Sequence, residues 1–169
     1  MYHGERFNAY SHLAGSMLAV AALVLMTVKA NGPYQLASAL TYGICLILLY
    51  LGSTLYHSIP QPKIKAILQK VDHCMIYLLI AGSYTPFTLI PLKGGWGWSL
   101  FGVSWSLALF GIIQELTIGR KSKKRLLSMM IYVIMGWLIL IAVSPLVRAL
   151  PFALPRSEER RVGKECRSR

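Results

Sequence analysis

Three polar side chains stand where two long apolar stretches of this chain meet: Ser53, His57 and Asp72. Ser53 and His57 end the earlier stretch and are four positions apart, so a helix would place both on one face. Asp72 opens the later stretch, after a short connection that contains Pro60 and Pro62. Ionisable groups at such positions are costly in lipid and are therefore functional candidates. A tight helical hairpin would bring His57 and Asp72 to similar depth near one membrane surface.

These residue types suit metal-assisted chemistry, although a structural interpretation is also open. Neutral imidazole is the commonest metal ligand, and a nearby carboxylate can orient a water molecule or take its proton. Ser53 could add a supporting hydrogen bond or help to polarise a substrate carbonyl. In the structural alternative, Ser53 and His57 are a polar pair between packed helices, and Asp72 forms a salt bridge with Lys65 or Lys70.

Composition places the chain in a membrane. Of its 169 residues 55% are hydrophobic and only 14% are charged, and the mean hydropathy is +0.52. These values are typical of a polytopic membrane protein and exclude a soluble domain with one core. The formal net charge of +12 would suggest a nucleic-acid partner in a soluble protein. Because the basic residues lie between apolar segments, we interpret them as topology signals and predict no nucleic-acid binding.

Five apolar segments indicate five transmembrane helices. Each has about 20 residues or more, enough to cross a hydrocarbon core of about 30 Å, and a continuous segment in lipid must satisfy its own backbone hydrogen bonds. The predicted fold is therefore all-α, a polytopic transmembrane helix bundle without β-sheet, located in a cell membrane. The predicted helices cover about residues 10–29, 33–57, 67–91, 97–118 and 127–150.

The distribution of lysine and arginine predicts the orientation. One side of the membrane would carry nine basic residues, namely Arg6 in the N-terminal tail, three lysines between residues 58 and 70, and five lysines and arginines in the loop at 119–126, against three on the other side. Such a bias places the N-terminus in the cytoplasm. His57 and Asp72 would then lie at the cytoplasmic end of the bundle.

Other polar residues in the apolar segments favour structural interpretations. Glu5, Asn8 and His12 share one face of the first helix and would support helix packing. His73 points about 100° away from Asp72 on a helix and is interpreted as an interfacial residue. Glu115 is expected to pair with the basic loop that follows it.

The three cysteines, Cys45, Cys74 and Cys166, share no metal-binding spacing. Cys45 and Cys74 fall inside predicted helices, so they are interpreted as small core residues, and no disulfide is predicted.

Residues 156–169 differ from the rest of the chain. Nine of these fourteen residues are charged, and the segment resembles translated sequencing adapter. A basic lipid-binding tail would emerge on the wrong side of the membrane. We therefore expect residues 1–155 to be the native transmembrane domain and residues 156–169 to be a non-native tail.

Four motifs together resemble the hemolysin III family, the bacterial branch of the progestin and adipoQ receptor (PAQR) superfamily. The resemblance covers nearly all of residues 4–150 and depends on the order of the motifs along the helices. They are Gly4-Glu-Arg-Phe-Asn8-Ala-Tyr-Ser-His12, Ser53-Thr-Leu-Tyr-His57, Lys70-Val-Asp72-His73 and Ala81-Gly-Ser-Tyr-Thr-Pro86-Phe.

The resemblance implies seven helices, a cytoplasmic N-terminus and a zinc ion near the cytoplasmic side of the bundle. It implies that His57 is a zinc ligand, that Asp72 corresponds to the aspartate holding the water at the metal, and that Ser53 is the serine beside them. The two further ligands belong to an HxxxH motif on the seventh helix. Five helices are predicted here, so the sixth and seventh are expected to be missing, and this chain is expected to be inactive.

The resemblance leaves three functions open. The first is a zinc-dependent membrane hydrolase that cleaves an amide in a lipid such as a ceramide. The second is a non-enzymatic zinc-binding receptor or a regulator of membrane properties. The third is cytolysis, which the family name suggests, although no secretion signal or self-inserting amphipathic segment supports it. Membrane lipid, as substrate or ligand, is the predicted partner.

Overall fold

The observed architecture is a bundle of long antiparallel helices. The computed structural model describes residues 3–118 and 122–149, and the proposed tail at 156–169 lies outside them. No β-strand occurs in the described residues, so the all-α prediction is confirmed. The helices are α1 (Arg6–Val28), α2 (Pro33–Ser58), α3 (Pro62–Leu89), α4 (Gly95–Ile118), α5 (Ser122–Trp137) and α6 (Val143–Ala149), with 3₁₀ turns at His3–Glu5 and Leu138–Ala142.

Four helical segments among the described residues are long and apolar enough to span a membrane. They are Arg6–Val28, Pro33–Ser58, Gly95–Thr117 and Leu126–Ala149. The chain is therefore an integral membrane protein. The predicted third span corresponds to α3, which has 28 residues but is more polar, with Lys63, Lys65, Lys70 and Asp72 in its first half. This helix packs against α2, α4 and α5, and a helix surrounded by other helices need not be apolar on every face.

The predicted hairpin between the second and third helices is shorter than expected. Only residues 59–61 separate α2 from α3, because α3 begins at Pro62 rather than near residue 67. A proline suits the first turn of a helix, where its missing N–H would have no partner anyway. Because α3 starts earlier, Lys65 lies in the first turn of this helix and close to the beginning of α1.

Small residues allow the first three helices to approach closely. A Cβ atom on Gly15 would lie 2.7 Å from the Tyr50 ring, and one on Gly82 would lie 2.9 Å from Cys45 Sγ. Ala19 is buried on the same side of α1. Close backbone approach is the usual way for helices to associate in lipid. Gly15 and Ala19 thus allow the helices to pack closely, and the predicted burial of Cys45 is confirmed.

The segment predicted as one helix at 127–150 is interrupted. α5 gives way to the 3₁₀ turn Leu138–Ala142 before α6 continues. Pro145 follows shortly after this turn, and a proline removes the hydrogen bond to the carbonyl four residues earlier, that of Ile141. A local 3₁₀ adjustment is a common response to that loss.

Tyr84 of α3 supports this break with its hydroxyl group. The hydroxyl oxygen lies 2.7 Å from the Met135 carbonyl and 3.1 Å from the Gly136 carbonyl, and it accepts the Ile139 N–H at 3.0 Å. Backbone groups freed by an irregular turn must find partners in a membrane. One side chain thus satisfies both a donor and acceptors at the break, and it ties α3 to the end of α5.

We expect Tyr84→Phe to destabilise the protein by about 1–2 kcal/mol, because it leaves buried backbone groups at the break without their partner. Thermal unfolding in detergent measures the change. Tyr10→Phe is the matched control, since Tyr10 is 65% exposed on α1. Equal unfolding temperatures for the two variants would show that the Tyr84 hydroxyl does not stabilise the break.

Candidate functional site

A cluster of polar side chains lies where α1 and α3 begin and α2 ends. We call it the His57 cluster and define it as Glu5, His12, Ser53, His57 and Lys65. Ser53 is buried, and its Oγ lies 2.7 Å from Nδ1 of His12. This contact joins the first helix to the second across 41 positions of sequence.

His57 carries a buried ring nitrogen without a hydrogen-bond partner. Its Nδ1 lies 4.0 Å from Oε1 of Glu5, beyond hydrogen-bond distance, and the described residues offer it no hydrogen-bond partner. The ring packs edge-on against His12, with 5.8 Å between the ring centroids, and also contacts Tyr56. A buried, unsatisfied nitrogen costs free energy. The Nδ1 atom of His57 is therefore the atom of the His57 cluster that would gain most from binding a ligand.

Lys65 fixes the relative positions of the helices around His57. Its ammonium group forms a salt bridge with Glu5 and donates a hydrogen bond to the Tyr56 carbonyl at 3.2 Å. It also lies over the Tyr56 ring, 4.7 Å from the centroid. These contacts connect the start of α3 to the start of α1 and the end of α2. Lys65, one of the two lysines suggested as a partner for Asp72, thus pairs with Glu5.

Asp72 lies in the third turn of α3, near the His57 cluster. Its carboxylate is close enough to act electrostatically on the His57 ring. The structure thus places Asp72 on the same side of the bundle as Ser53 and His57. A shared catalytic role for the three residues remains a prediction.

Two members of the cluster, Glu5 and His12, were predicted from the sequence to be packing residues of the first helix. In the structure Glu5 pairs with Lys65, and His12 pairs with Ser53. A usable signal was present in the sequence. Both residues lie on one face at the beginning of a helix whose start shares a membrane side with His57. The rotation of α1 that brings this face toward α2 was not evident from spacing alone.

The interpretation of His73 as interfacial needs correction, because its Nδ1 lies 3.1 Å from Oε1 of Glu115 on α4. The pairing of Glu115 with the following basic loop stays a prediction, because the side chains at 118–125 lie outside the described residues. The described partners of Glu115 are His73 and Ser128, whose Oγ lies 3.0 Å from Oε2 of Glu115.

The fold and the site define a class: an integral-membrane helical bundle with a buried serine–histidine cluster at one end of its first three helices. Comparison with known families is consistent with this class. The family described as "Haemolysin-III related" matches residues 1–161. This match includes all the described helices and the first residues of the proposed tail. The chain belongs to the haemolysin-III-related family.

Two bacterial relatives show the extent of the similarity. The chain is 44% identical over 149 residues to "Hemolysin-3" of Bacillus cereus, covering 86% of this chain and 67% of the relative. It is also 44% identical over 149 residues to the "Hemolysin-3 homolog" of Bacillus subtilis (strain 168), covering 86% of this chain and 69% of the relative. No solved structure matches the chain significantly.

Proposed function

We propose that the His57 cluster and Asp72 belong to a zinc-dependent site of an integral-membrane hydrolase that cleaves a lipid amide of the ceramide type. The observation that carries this proposal is the buried Nδ1 of His57, which has no hydrogen-bond partner. An imidazole with an available nitrogen, beside carboxylates and a second imidazole, is suited to metal binding.

The residues fit one part of a zinc site. No group of three or more His, Cys, Asp or Glu side chains that could hold a metal ion occurs within residues 3–118 and 122–149. A catalytic zinc takes three protein ligands. We therefore propose that His57 is one ligand and that the others come from a helix outside the described residues, as the family resemblance implies. Zinc bound there would supply Lewis acidity to a carbonyl and to water.

The chain's own groups have distinct roles in this proposal. Asp72 orients the attacking water and takes its proton, as a positioned carboxylate can. When His12 donates its Nδ1 hydrogen to Ser53, the serine hydroxyl hydrogen is left to polarise the amide carbonyl. The salt bridge between Lys65 and Glu5 keeps the three helices in register.

The location of the site favours a lipid substrate. The His57 cluster lies at one end of a bundle whose outer surface is apolar, with exposed side chains such as Leu18, Leu25 and Leu55. Basic residues are concentrated at this same end, including Arg6, Lys63 and Lys65. We therefore propose that the site faces the cytoplasmic leaflet and reaches an amide near the lipid headgroup.

Hydrolysis of a defined lipid tests the activity. The full-length protein in detergent with short-chain ceramide is expected to release fatty acid, to lose this activity with a zinc chelator and to regain it when zinc is restored. Zinc binding without release of fatty acid would support the non-enzymatic receptor or regulator instead. Leakage of lipid vesicles without hydrolysis would favour the lytic activity named in the Bacillus relatives.

The 169-residue chain provides a second test. Because its described residues supply fewer than three clustered ligands, we expect it to retain far less zinc than the full-length protein and to release no fatty acid. Elemental analysis of both proteins, purified side by side, measures the difference. One tightly held zinc in the 169-residue chain, lost in His57→Ala, would show that this chain completes the site by itself.

A further inference from the structure

A cavity of about 350 Å³ lies among the first three helices, at the end of the bundle opposite the His57 cluster. We call it the Ser38 cavity. Its apolar walls are Leu25 and Met26 of α1, Ala39 of α2, and Pro86 and Ile90 of α3. The volume falls within the range of small-molecule sites, about 300–1,000 Å³. Walls of this kind suit a hydrocarbon chain.

One polar atom in the wall of the cavity lacks a partner. Ser38 is only 2% exposed, and its Oγ forms no hydrogen bond with any of the described residues. Ser38 stands five positions after Pro33, the first residue of α2, which places it about 8 Å along the helix axis from the start of α2. A buried hydroxyl without a partner costs free energy. A ligand in the cavity would therefore gain by offering a hydrogen-bond acceptor at this depth.

The mouth of the cavity favours negative charge. Lys29, which is exposed, and Gln35 both line it. α2 begins here without a side-chain cap, because its N-cap residue is Gly32 and Gln35 Oε1 accepts the Asn31 N–H at 2.7 Å. The first N–H groups of a helix attract anions, and the helix dipole adds to this attraction. A lysine beside an uncapped helix start is thus complementary to an anionic group.

We propose that the Ser38 cavity binds one anionic glycerophospholipid from the membrane leaflet opposite the His57 cluster. The phosphate lies against Lys29 and the first turn of α2, and Ser38 donates its hydroxyl hydrogen to an ester carbonyl. One acyl chain fills the apolar part of the cavity. The order of groups in such a lipid matches the cavity, because the esters lie one glycerol unit below the phosphate and the hydrocarbon lies below the esters. This site is separate from the proposed hydrolysis and does not depend on zinc.

Two other occupants match fewer features of the cavity. A zwitterionic phospholipid has the esters and the chains, but its headgroup brings a second positive charge to Lys29. A fatty acid has a carboxylate for Lys29 but no acceptor for Ser38 one turn deeper. Both are compared with the anionic phospholipid in the test.

Lipid retention by the 169-residue chain in detergent tests the proposal. The chain is mixed with equal amounts of phosphatidylglycerol and phosphatidylcholine that carry identical acyl chains, and excess lipid is removed by washing. Native mass spectrometry should find one phosphatidylglycerol per chain, retained severalfold more often than phosphatidylcholine, and oleic acid should not displace it. Phosphatidylglycerol should also raise the unfolding temperature more than phosphatidylcholine does, as a ligand of the folded state.

Three variants locate the bound lipid. Lys29→Gln should lower the retention of phosphatidylglycerol to that of phosphatidylcholine. Ser38→Ala should lower it severalfold, and this variant should fold because it removes an unsatisfied buried hydroxyl. Arg148→Gln is the matched control and should retain the lipid fully. Arg148 is exposed near the end of α6, on the same side of the bundle as Lys29 but away from the cavity.

The proposal would be overturned by equal retention of the two phospholipids, by displacement of phosphatidylglycerol by oleic acid, or by equal losses in Lys29→Gln and Arg148→Gln. Full retention in Ser38→Ala would also overturn it, because the ester would then not reach the cavity. The comparison of lipids on the unmodified chain decides the matter even if a variant fails to fold.

Discussion

Replacement of Asp72 by asparagine is expected to lower the rate of lipid-amide hydrolysis by the full-length protein about 10²–10⁴-fold, the usual contribution of a positioned general base. Asparagine has the same shape as aspartate but cannot accept the proton of the attacking water. Because Asp72 is proposed to act on water rather than to hold zinc, the zinc content should stay near that of the unmodified protein. Fatty-acid release at saturating substrate gives the rate, and elemental analysis gives the metal.

Lys63→Gln is the matched control for this substitution. Lys63 is exposed in the first turn of α3, so its loss changes the charge at the same membrane surface without touching the His57 cluster. It should leave the rate nearly unchanged. Loss of zinc in Asp72→Asn would instead make Asp72 a ligand, and an unaffected rate would remove it from the catalytic machinery.

Replacement of Gly111 by alanine is expected to destabilise the bundle by about 3 kcal/mol or more, at the upper end of the range for overpacking a core. A Cβ atom at this position would overlap the Tyr77 ring, which is completely buried between α3 and α4. The ring also packs at a tilt against the Tyr132 ring of α5, with 4.3 Å between centroids, so it has little room to move. The helices must separate to admit the methyl group.

Gly102→Ala provides the control within the same helix. A Cβ atom on Gly102 meets nothing within 4 Å, so this substitution should be neutral or should stabilise α4 by up to about 1 kcal/mol through helix propensity. Thermal unfolding of both variants in detergent measures the difference. Similar unfolding temperatures would mean that α3 and α4 do not pack through Gly111 and Tyr77.

Hydropathy was sufficient to predict the helices because a membrane leaves the backbone few alternatives. A segment of about 20 apolar residues must satisfy its own hydrogen bonds, and the α-helix does so. Pro145 is a local signal for the 3₁₀ turn at Leu138–Ala142, but the Tyr84 hydroxyl that satisfies the backbone groups there is more than 50 positions away and could not be predicted from sequence. The polar first half of α3 shows the same limit, because hydropathy does not report contacts such as the salt bridge between Lys65 and Glu5.

The candidate site was only partly predictable from sequence. Ser53 and His57 could be placed together because four residues make about one helical turn. The contact between Ser53 and His12 depends on how α1 is rotated against α2, and the Gly15–Tyr50 approach sets that rotation. Likewise, the pairing of His73 with Glu115 depends on the packing of α3 against α4. Such contacts are tertiary, and no local spacing in the sequence encodes them.

The zinc content of the full-length protein, with and without His57→Ala, tests the central claim most directly. Elemental analysis should find about one zinc per unmodified chain, as a single three-ligand site requires, and little or none in His57→Ala. His73→Asn should retain the metal, because that histidine bonds to Glu115 instead. An unmodified protein without zinc, or a His57→Ala variant that keeps its full zinc content, would contradict the assignment of His57 as a metal ligand.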